Sequence, residues 1–469
     1  MSEQDAARRR PRPDARLAGW PNIRGTITYE PLASRSRLAV PSSQVSASTI
    51  PSFDPSLLRG LAAPLRAVVA LSRRSGGDAF AFESSGFRSP SFQKSFLAKA
   101  EELAVLGLIL VELDRTGRIT ELQPAPGYTA GHLRLLRRQA AMWDLERDAV
   151  LRQLSNAGVP VLLLKGAALR MTAYRDPAER AFGDIDVMVP AASLEAAVAA
   201  LAENGYVPES DDRIKLYLEH YHHLILKKAA GFIVEVHWAL VPVMSPFRLD
   251  AEAFRRDARA IATPGAGEVA VPCAEHMVLH LAQQNMEDGF SQLRRLVDVD
   301  RVIASAAEFD WARLDSEAKR MQVQAVLALT LRLAALLLGT TIPRGFIAGL
   351  GLSAATLTHL ALLDPVGLVL EQRGRQRAVQ ELLLLWCLPR AATRLRTLMG
   401  MASGQQERLW RQLGWYRSGA LTKISSLAKL AVYQAALYPT LLFGERAGAR
   451  RRRNFWGSDF APLMKSIQP

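Results

Sequence analysis

Phe182-Gly183-Asp184-Ile185-Asp186-Val187-Met188-Val189 is a short apolar run carrying two carboxylates two residues apart. So much hydrophobic surface over so few residues demands a buried strand, and side chains along a strand alternate between its faces. Asp184 and Asp186 therefore project together, with Ile185, Val187 and Val189 on the other side. Two acids held that close repel each other unless a cation lies between them. A hard divalent ion with oxygen ligands, Mg2+ held jointly with substrate phosphates, resolves the conflict and points to phosphoryl or nucleotidyl chemistry.

The chain of 469 residues, 49% hydrophobic and 22% charged, has room for two or three ordinary globular units. Cys273 and Cys387 are its two cysteines, too far apart for a disulfide framework or a zinc cluster, so a reducing cytoplasm is the expected location. Arg8, Arg9, Arg10, Arg12 and Arg16 precede no apolar signal core, and residues 1–50 read as a disordered basic arm. The greasiest stretches, 323–338 and 427–443, are interrupted by Arg332 and by Lys429 and Pro439, which argues against a span of about 20 apolar residues.

The net charge of +14 is concentrated at the ends: eight Lys/Arg against four Asp/Glu in residues 1–50, and six against two in 444–469. That balance suits an anionic nucleotide or acceptor. No helix-turn-helix, zinc-finger or aromatic-basic motif accompanies it, which argues against nucleic acid. The basic tail 444–469 behind an apolar segment also allows peripheral contact with an anionic membrane, a reading not favoured over a core helix followed by solvated charge.

Helical periodicity runs over 55–73, 92–113 and 130–156, the last ending at Gly158, and defines an N-terminal helical region, 51–154. The pattern then changes. Val159 to Leu164 reads as a buried strand closed by Lys165 and Gly166, followed by a helix at 167–174, the carboxylate strand, and a helix at 193–204 stopped by Gly205. Residues 221–228 and 232–240 read as a hairpin turning at Ala229-Ala230-Gly231. Residues 155–265 thus form an α/β unit, and 266–443 a C-terminal helical domain with helices over 273–287, 291–305, 311–338, 353–371, 376–398 and 404–443.

On the second strand of the hairpin, Glu235 and His237 share a face opposite Val234, Val236 and Trp238, so a third acid arrives beside the pair. Carboxylates on adjacent strands behind a glycine-containing strand-to-helix turn are what a two-metal site requires: acids hold the ions, ions bridge phosphates, and backbone N–H groups near Gly166 approach an anionic oxygen.

Leu164-Lys165-Gly166, Tyr174, Arg180, Asp184-Ile185-Asp186 and Glu235-Val236-His237-Trp238, taken together, resemble the DNA polymerase β-like nucleotidyltransferase superfamily, and within it a large bacterial nucleotidyltransferase family. The resemblance covers residues 130–310 and implies an α+β fold, with a small mixed β-sheet nucleotidyltransferase core embedded between N-terminal and C-terminal helical regions. It implies Mg2+-dependent, or Mn2+-dependent, transfer of a nucleoside monophosphate from an NTP such as ATP to an acceptor: small molecule, saccharide, peptide or protein. Asp184, Asp186 and Glu235 would then be the metal ligands and catalytic acids, with Glu235 helping to deprotonate the acceptor. Lys165, Gly166, Arg180 and His237 would line the nucleotide and acceptor side. One departure stands out: Gly166 is followed by Ala167, not the serine usual in that turn, and lies 18 residues before Asp184.

Several of these residues also have blander readings. Arg180 is able to pair with Asp176 or Glu179 at the surface, Arg294 and Asp298 have the spacing of a helix-surface ion pair, and Tyr174 reads as packing. His276 and His280 lie one turn apart but lack the His-Glu order of a metalloprotease helix, which favours a structural role. Of His222 and His223 one must face the site, though satisfied sheet histidines account for both. A catalytically silent nucleotide- or partner-binding relative and a helical membrane-surface adaptor are the competing functions.

Overall fold

The computed structural model describes residues 63–74, 87, 89–122, 130–208, 221–242 and 245–353, with isolated positions 356, 363, 383 and 387 and the segment 365–370. The expected N-terminal arm, the helix over 404–443 and the basic tail lie outside the described residues, as do most of the 353–371 and 376–398 helices.

Seven strands form one mixed sheet: β1 (Leu162–Leu163), β2 (Ile185–Met188), β3 (Tyr206–Pro208), β4 (His223–Lys228), β5 (Ile233–His237), β6 (Arg259–Thr263) and β7 (Gly267–Val271). Their spatial order is β3-β4-β5-β2-β1-β7-β6. β2 runs parallel to β5 and antiparallel to β1, while β1 runs parallel to β7. Two antiparallel hairpins, β4–β5 and β6–β7, carry the sheet to its flanks, and β3 pairs antiparallel with β4. Sheet and helices together make the expected α+β fold.

The β6–β7 hairpin was not evident from the sequence pattern, and it carries the sheet to Val271, past residue 265. Its residues are largely exposed apart from Thr263, Val269 and Val271, so it lacks the apolar density by which a buried strand is recognised.

The N-terminal helices are α1 (Ala63–Ser72), α2 (Pro90–Glu102), α3 (Leu106–Arg115) and α4 (Ala130–Asn156). The single pattern over 92–113 resolves into two helices because Ala104 adopts a left-handed φ of 59° and ends α2. The new direction of α3 brings Gly107 onto the Ala178 carbonyl so closely that no Cβ would fit there. Within the sheet unit lie α5 (Lys165–Thr172), α6 (Leu194–Glu203) and α7 (Ala251–Arg256), and a 3-10 turn at Pro177–Arg180. A capping box between Asp176 and Glu179 holds that turn.

Beyond the sheet come α8 (Ala274–Glu287), α9 (Leu293–Ser305), α10 (Trp311–Arg320), α11 (Gln324–Leu338), α12 (Phe346–Gly349) and α13 (Pro365–Val369). The expected continuous helix over 311–338 is interrupted by Gln322, again at a left-handed φ of 59°. α8 is central: every residue from Glu275 to Met286 is buried, and α8 packs on α9, α10 and α11. α9 also packs on α5, tying the helical layer to the turn that follows β1. None of the helices in the described residues is long and apolar enough to cross a membrane.

Candidate active site

β2 and β5 run side by side, with Asp186 opposite Glu235 and Met188 opposite His237. Their alternation holds as the pattern implies. Ile185, Val187, Val234 and Val236 are fully buried in the core, which sends Asp186, Glu235 and His237 to the other face. Asp184 lies in the bend just ahead of β2 and is half-buried.

The acids converge on one amine. Lys165 Nζ donates to Asp186 Oδ1 at 2.5 Å and to Glu235 Oε2 at 3.3 Å. His237 Nε2 lies 2.9 Å from the same Asp186 oxygen and 3.4 Å from Glu235 Oε2. Ligand atoms of Asp186, Glu235 and His237 fall within 4.8 Å of one another.

The electrostatics follow from this crowding. Burial alone would raise the pKa of Asp186, but the Lys165 charge and the His237 hydrogen bond outweigh it and hold the carboxyl below its usual range. Glu235 is held down in the same way, burial being overcome by His237 and Lys165. The Lys165 ammonium would lose its proton more readily for being buried, yet Asp186 and Glu235 keep it firmly charged. Asp184 goes the other way. Burial, then repulsion from Asp186 and Glu235, raises its pKa to about 6.

The backbone at the β1–α5 junction is unusual. Lys165 itself takes φ 44°, a left-handed conformation that costs a non-glycine residue on the order of 1 kcal/mol or more. Gly166 is needed for a different reason. A Cβ there would stand 2.8 Å from Phe182 Cβ and 3.3 Å from Arg180 Nη1, so the α5 backbone passes the 180–182 segment with no room for a side chain.

Arg180 is buried and anchored rather than paired with Asp176 or Glu179. Its Nε donates to Asp298 Oδ1 at 2.7 Å, and Tyr174 Oη donates to that same oxygen at 2.6 Å. The expected Arg294–Asp298 surface pair is thereby corrected: Asp298 is fully buried, and Arg294 turns its guanidinium to the Ala181 carbonyl and Gln292. Helical spacing suggested that pair, but α9 presents Asp298 to α5 and the 3-10 turn instead of to solvent. Arg180 remains close enough to Asp184 to favour its charged form.

Sequence reasoning undervalued the histidines. His222 and His223 both face His237, with ring centres 5.4 and 4.9 Å from it. Strict alternation forbids this, but β4 starts only at His223 and His222 sits in the bend before it. His280 on α8 is also buried against the centre. Burial, then Lys165 and His237, pushes its pKa well below the usual value. The available signal was its place on a helix face with Gln283, Gln284 and Glu287, polar residues at i+3, i+4 and i+7. His276, one turn earlier, stacks on Phe254 at 4.5 Å and pairs with Glu317, a structural role.

Acids from neighbouring parallel strands, a lysine on the strand-to-helix turn and flanking helical regions define a nucleotidyltransferase fold. Residues 91–339 match the model of a family described as uncharacterised nucleotidyltransferases, and the chain belongs to that family. Among solved structures it is similar to the antibiotic-resistance factor ANT(2'')-Ia, at 14% identity and a TM-score of 0.26, covering 34% of this chain and 85% of that one. It is similar also to an antigenic nucleotidyltransferase-like protein from Paracoccidioides brasiliensis, at 13% identity and a TM-score of 0.26, covering 39% of this chain and 91% of that one. No curated protein matches the sequence.

Proposed function

We propose that the protein is a divalent-metal-dependent nucleotidyltransferase moving a nucleoside monophosphate from an NTP, ATP among the candidates, to an acceptor. The observation that carries this reading is the pairing of Asp186 and Glu235 across parallel strands with one ammonium bonded to both. A centre that already draws in a buried cation is built to hold positive charge. The carboxylates of Asp184, Asp186 and Glu235 suit Mg2+ or Mn2+, which prefer oxygen. Asp184, raised to about 6 by burial and its acidic neighbours, is the group whose ionisation a divalent ion would relieve.

When bound, such ions supply charge stabilisation at the phosphate oxygens and acidify the acceptor hydroxyl. The acceptor oxygen attacks the α-phosphorus, the bond from that phosphorus to the oxygen bridging to the β-phosphate breaks, and pyrophosphate leaves. Glu235 receives the acceptor proton, with His237 beside it orienting the hydroxyl. Lys165 brings positive charge to the triphosphate, and Arg180 adds its field from its anchored place on Asp298. Gly166 lets the backbone of α5 come close. Small molecule, saccharide, peptide and protein acceptors all remain in view, as do a cytoplasmic location and the division into helical, sheet-containing and helical regions.

Two specific features favour a silent relative: Lys165 already neutralises the acids, and Ala167 offers no hydroxyl to phosphate. The two readings part in one assay. NTPs labelled at the α-phosphate are incubated with the full chain, Mg2+ or Mn2+ and host extract. Transfer of label, falling about 100-fold or more in Glu235→Gln and lost in Asp186→Asn, supports the enzyme. Absence of metal-dependent label and pyrophosphate release would leave the silent relative standing.

A further inference from the structure

We propose that His222, His223 and His237 form a separate metal site, for a borderline first-row cation of the Zn2+ class, beside the carboxylates. The site shares His237 with the proposed acceptor side, but its test does not depend on nucleotidyl transfer.

Geometry is the main argument. A nitrogen from each of the three rings lies within 4.8 Å of those of the other two. The ring centres stand 4.7, 5.4 and 4.9 Å apart. Three imidazoles bonded at about 2.0–2.1 Å to one tetrahedral zinc place their ring centres about 5 Å apart, so a small inward shift of the nitrogens completes the site.

Ordinary packing leaves one nitrogen of His222 and one of His237 without a hydrogen-bond partner among the described residues. His222 is 7% exposed and His237 1%, yet Nδ1 of each has no hydrogen-bond partner among the described residues. Burying a polar atom without a partner is unfavourable, and ligation removes that cost. His237 Nε2 lies 2.9 Å from the Asp186 carboxylate, which would orient the ring for ligation through its unpartnered Nδ1.

Donor chemistry separates this locus from the acids. Three imidazole nitrogens select zinc-class ions over Mg2+, whereas carboxylate oxygens favour Mg2+. Three protein ligands also leave a fourth position for water or another small ligand. Asp186 and Glu235, beside His237, bring negative charge that supports a cation here, while the Lys165 ammonium bonded to both opposes it.

The test is Co2+ titration of the chelator-treated, tag-free full chain, read by visible absorption, with Zn2+ as competitor. One equivalent giving an intense tetrahedral spectrum, displaced by one equivalent of Zn2+, is expected. His222→Ala and His223→Ala should each weaken binding about 100-fold or more, while Asp184→Asn keeps the spectrum. X-ray absorption on the zinc-loaded native protein should show three imidazoles at the metal, which decides the matter even where a variant does not fold. A weak octahedral cobalt spectrum, zinc bound through oxygen alone, or affinity untouched by both histidine substitutions would overturn the site.

Discussion

Lys165 Nζ stands 2.5 Å from Asp186 Oδ1, an ammonium seated at the entrance of α5 against a fully buried carboxylate on β2. That contact joins the strained turn after β1 to the acid pair, and under the proposed function amine and divalent ion would compete for the same oxygen.

Removing the amine should therefore expose that competition. Lys165→Met leaves Asp186 and Glu235 without their shared cation, so the metal-free protein loses stability. A broken buried pair typically costs about 3–5 kcal/mol, and partial exposure of Lys165 places this one near the lower end. Mn2+ should bind the variant more tightly than the native chain and restore much of its Tm. Calorimetric titration with Mn2+ checks this, and equal affinities for the two proteins would refute it.

Asp184 should impose a pH dependence of definite sign. Its folded pKa of about 6 exceeds the ordinary carboxylate value of 3.8, so between those values the folded state holds more protons than the unfolded one. Stability contributed by this group then falls as pH rises through that window, by roughly 2–3 kcal/mol in full. In metal-free protein, Asp184→Asn should be more stable than the native chain at pH 7 and no more stable at pH 4. Mg2+ should narrow the difference, because it favours the ionised form. Chemical denaturation at the two pH values with and without Mg2+ is the measurement.

Arg180, Tyr174 and Asp298 form a buried unit whose parts should not be equivalent. Asp298→Ala strands the Arg180 guanidinium in a site with 7% side-chain exposure, and should cost about 3–5 kcal/mol. Tyr174→Phe removes one hydrogen bond to the same oxygen and should cost about 1–2 kcal/mol. Urea unfolding of the two variants should rank them in that order.

Gly166→Ala should perturb the site without touching an acid. The added methyl would meet Phe182 Cβ at 2.8 Å, and backbone-linked atoms give way less easily than side-chain tips. A loss of about 1–3 kcal/mol is expected, with a shift of the 180–182 segment. Phe182→Gly in the same chain removes that Cβ and should recover part of the loss, readable as a coupling energy in a double-mutant cycle.

The acid pair was legible because strand periodicity is local. Alternation along 182–189 assigned Asp184 and Asp186 one face, and that along 232–238 put Glu235 and His237 together; β2 and β5 bring Asp186, Glu235 and His237 to one another, whereas Asp184 sits in the bend before β2. The α+β class was legible for the same reason: helical and strand periods differ, and each shows within a few turns. Breaks at Ala104 and Gln322 were not, because a left-handed residue in a helical pattern changes direction without changing composition.

Only the tertiary structure decided which charge meets which. Asp298 has the spacing to pair with Arg294 on its own helix but is taken by Arg180, 118 positions earlier in the chain. His222 escapes the alternation of β4 because its strand begins one residue later, which gathers three imidazoles where periodicity allowed two. Local pattern is set by backbone geometry within a few residues, whereas these pairings are set by how helices and strand ends dock on the sheet. Burial then makes each such pairing worth more than the short-range preference it replaces.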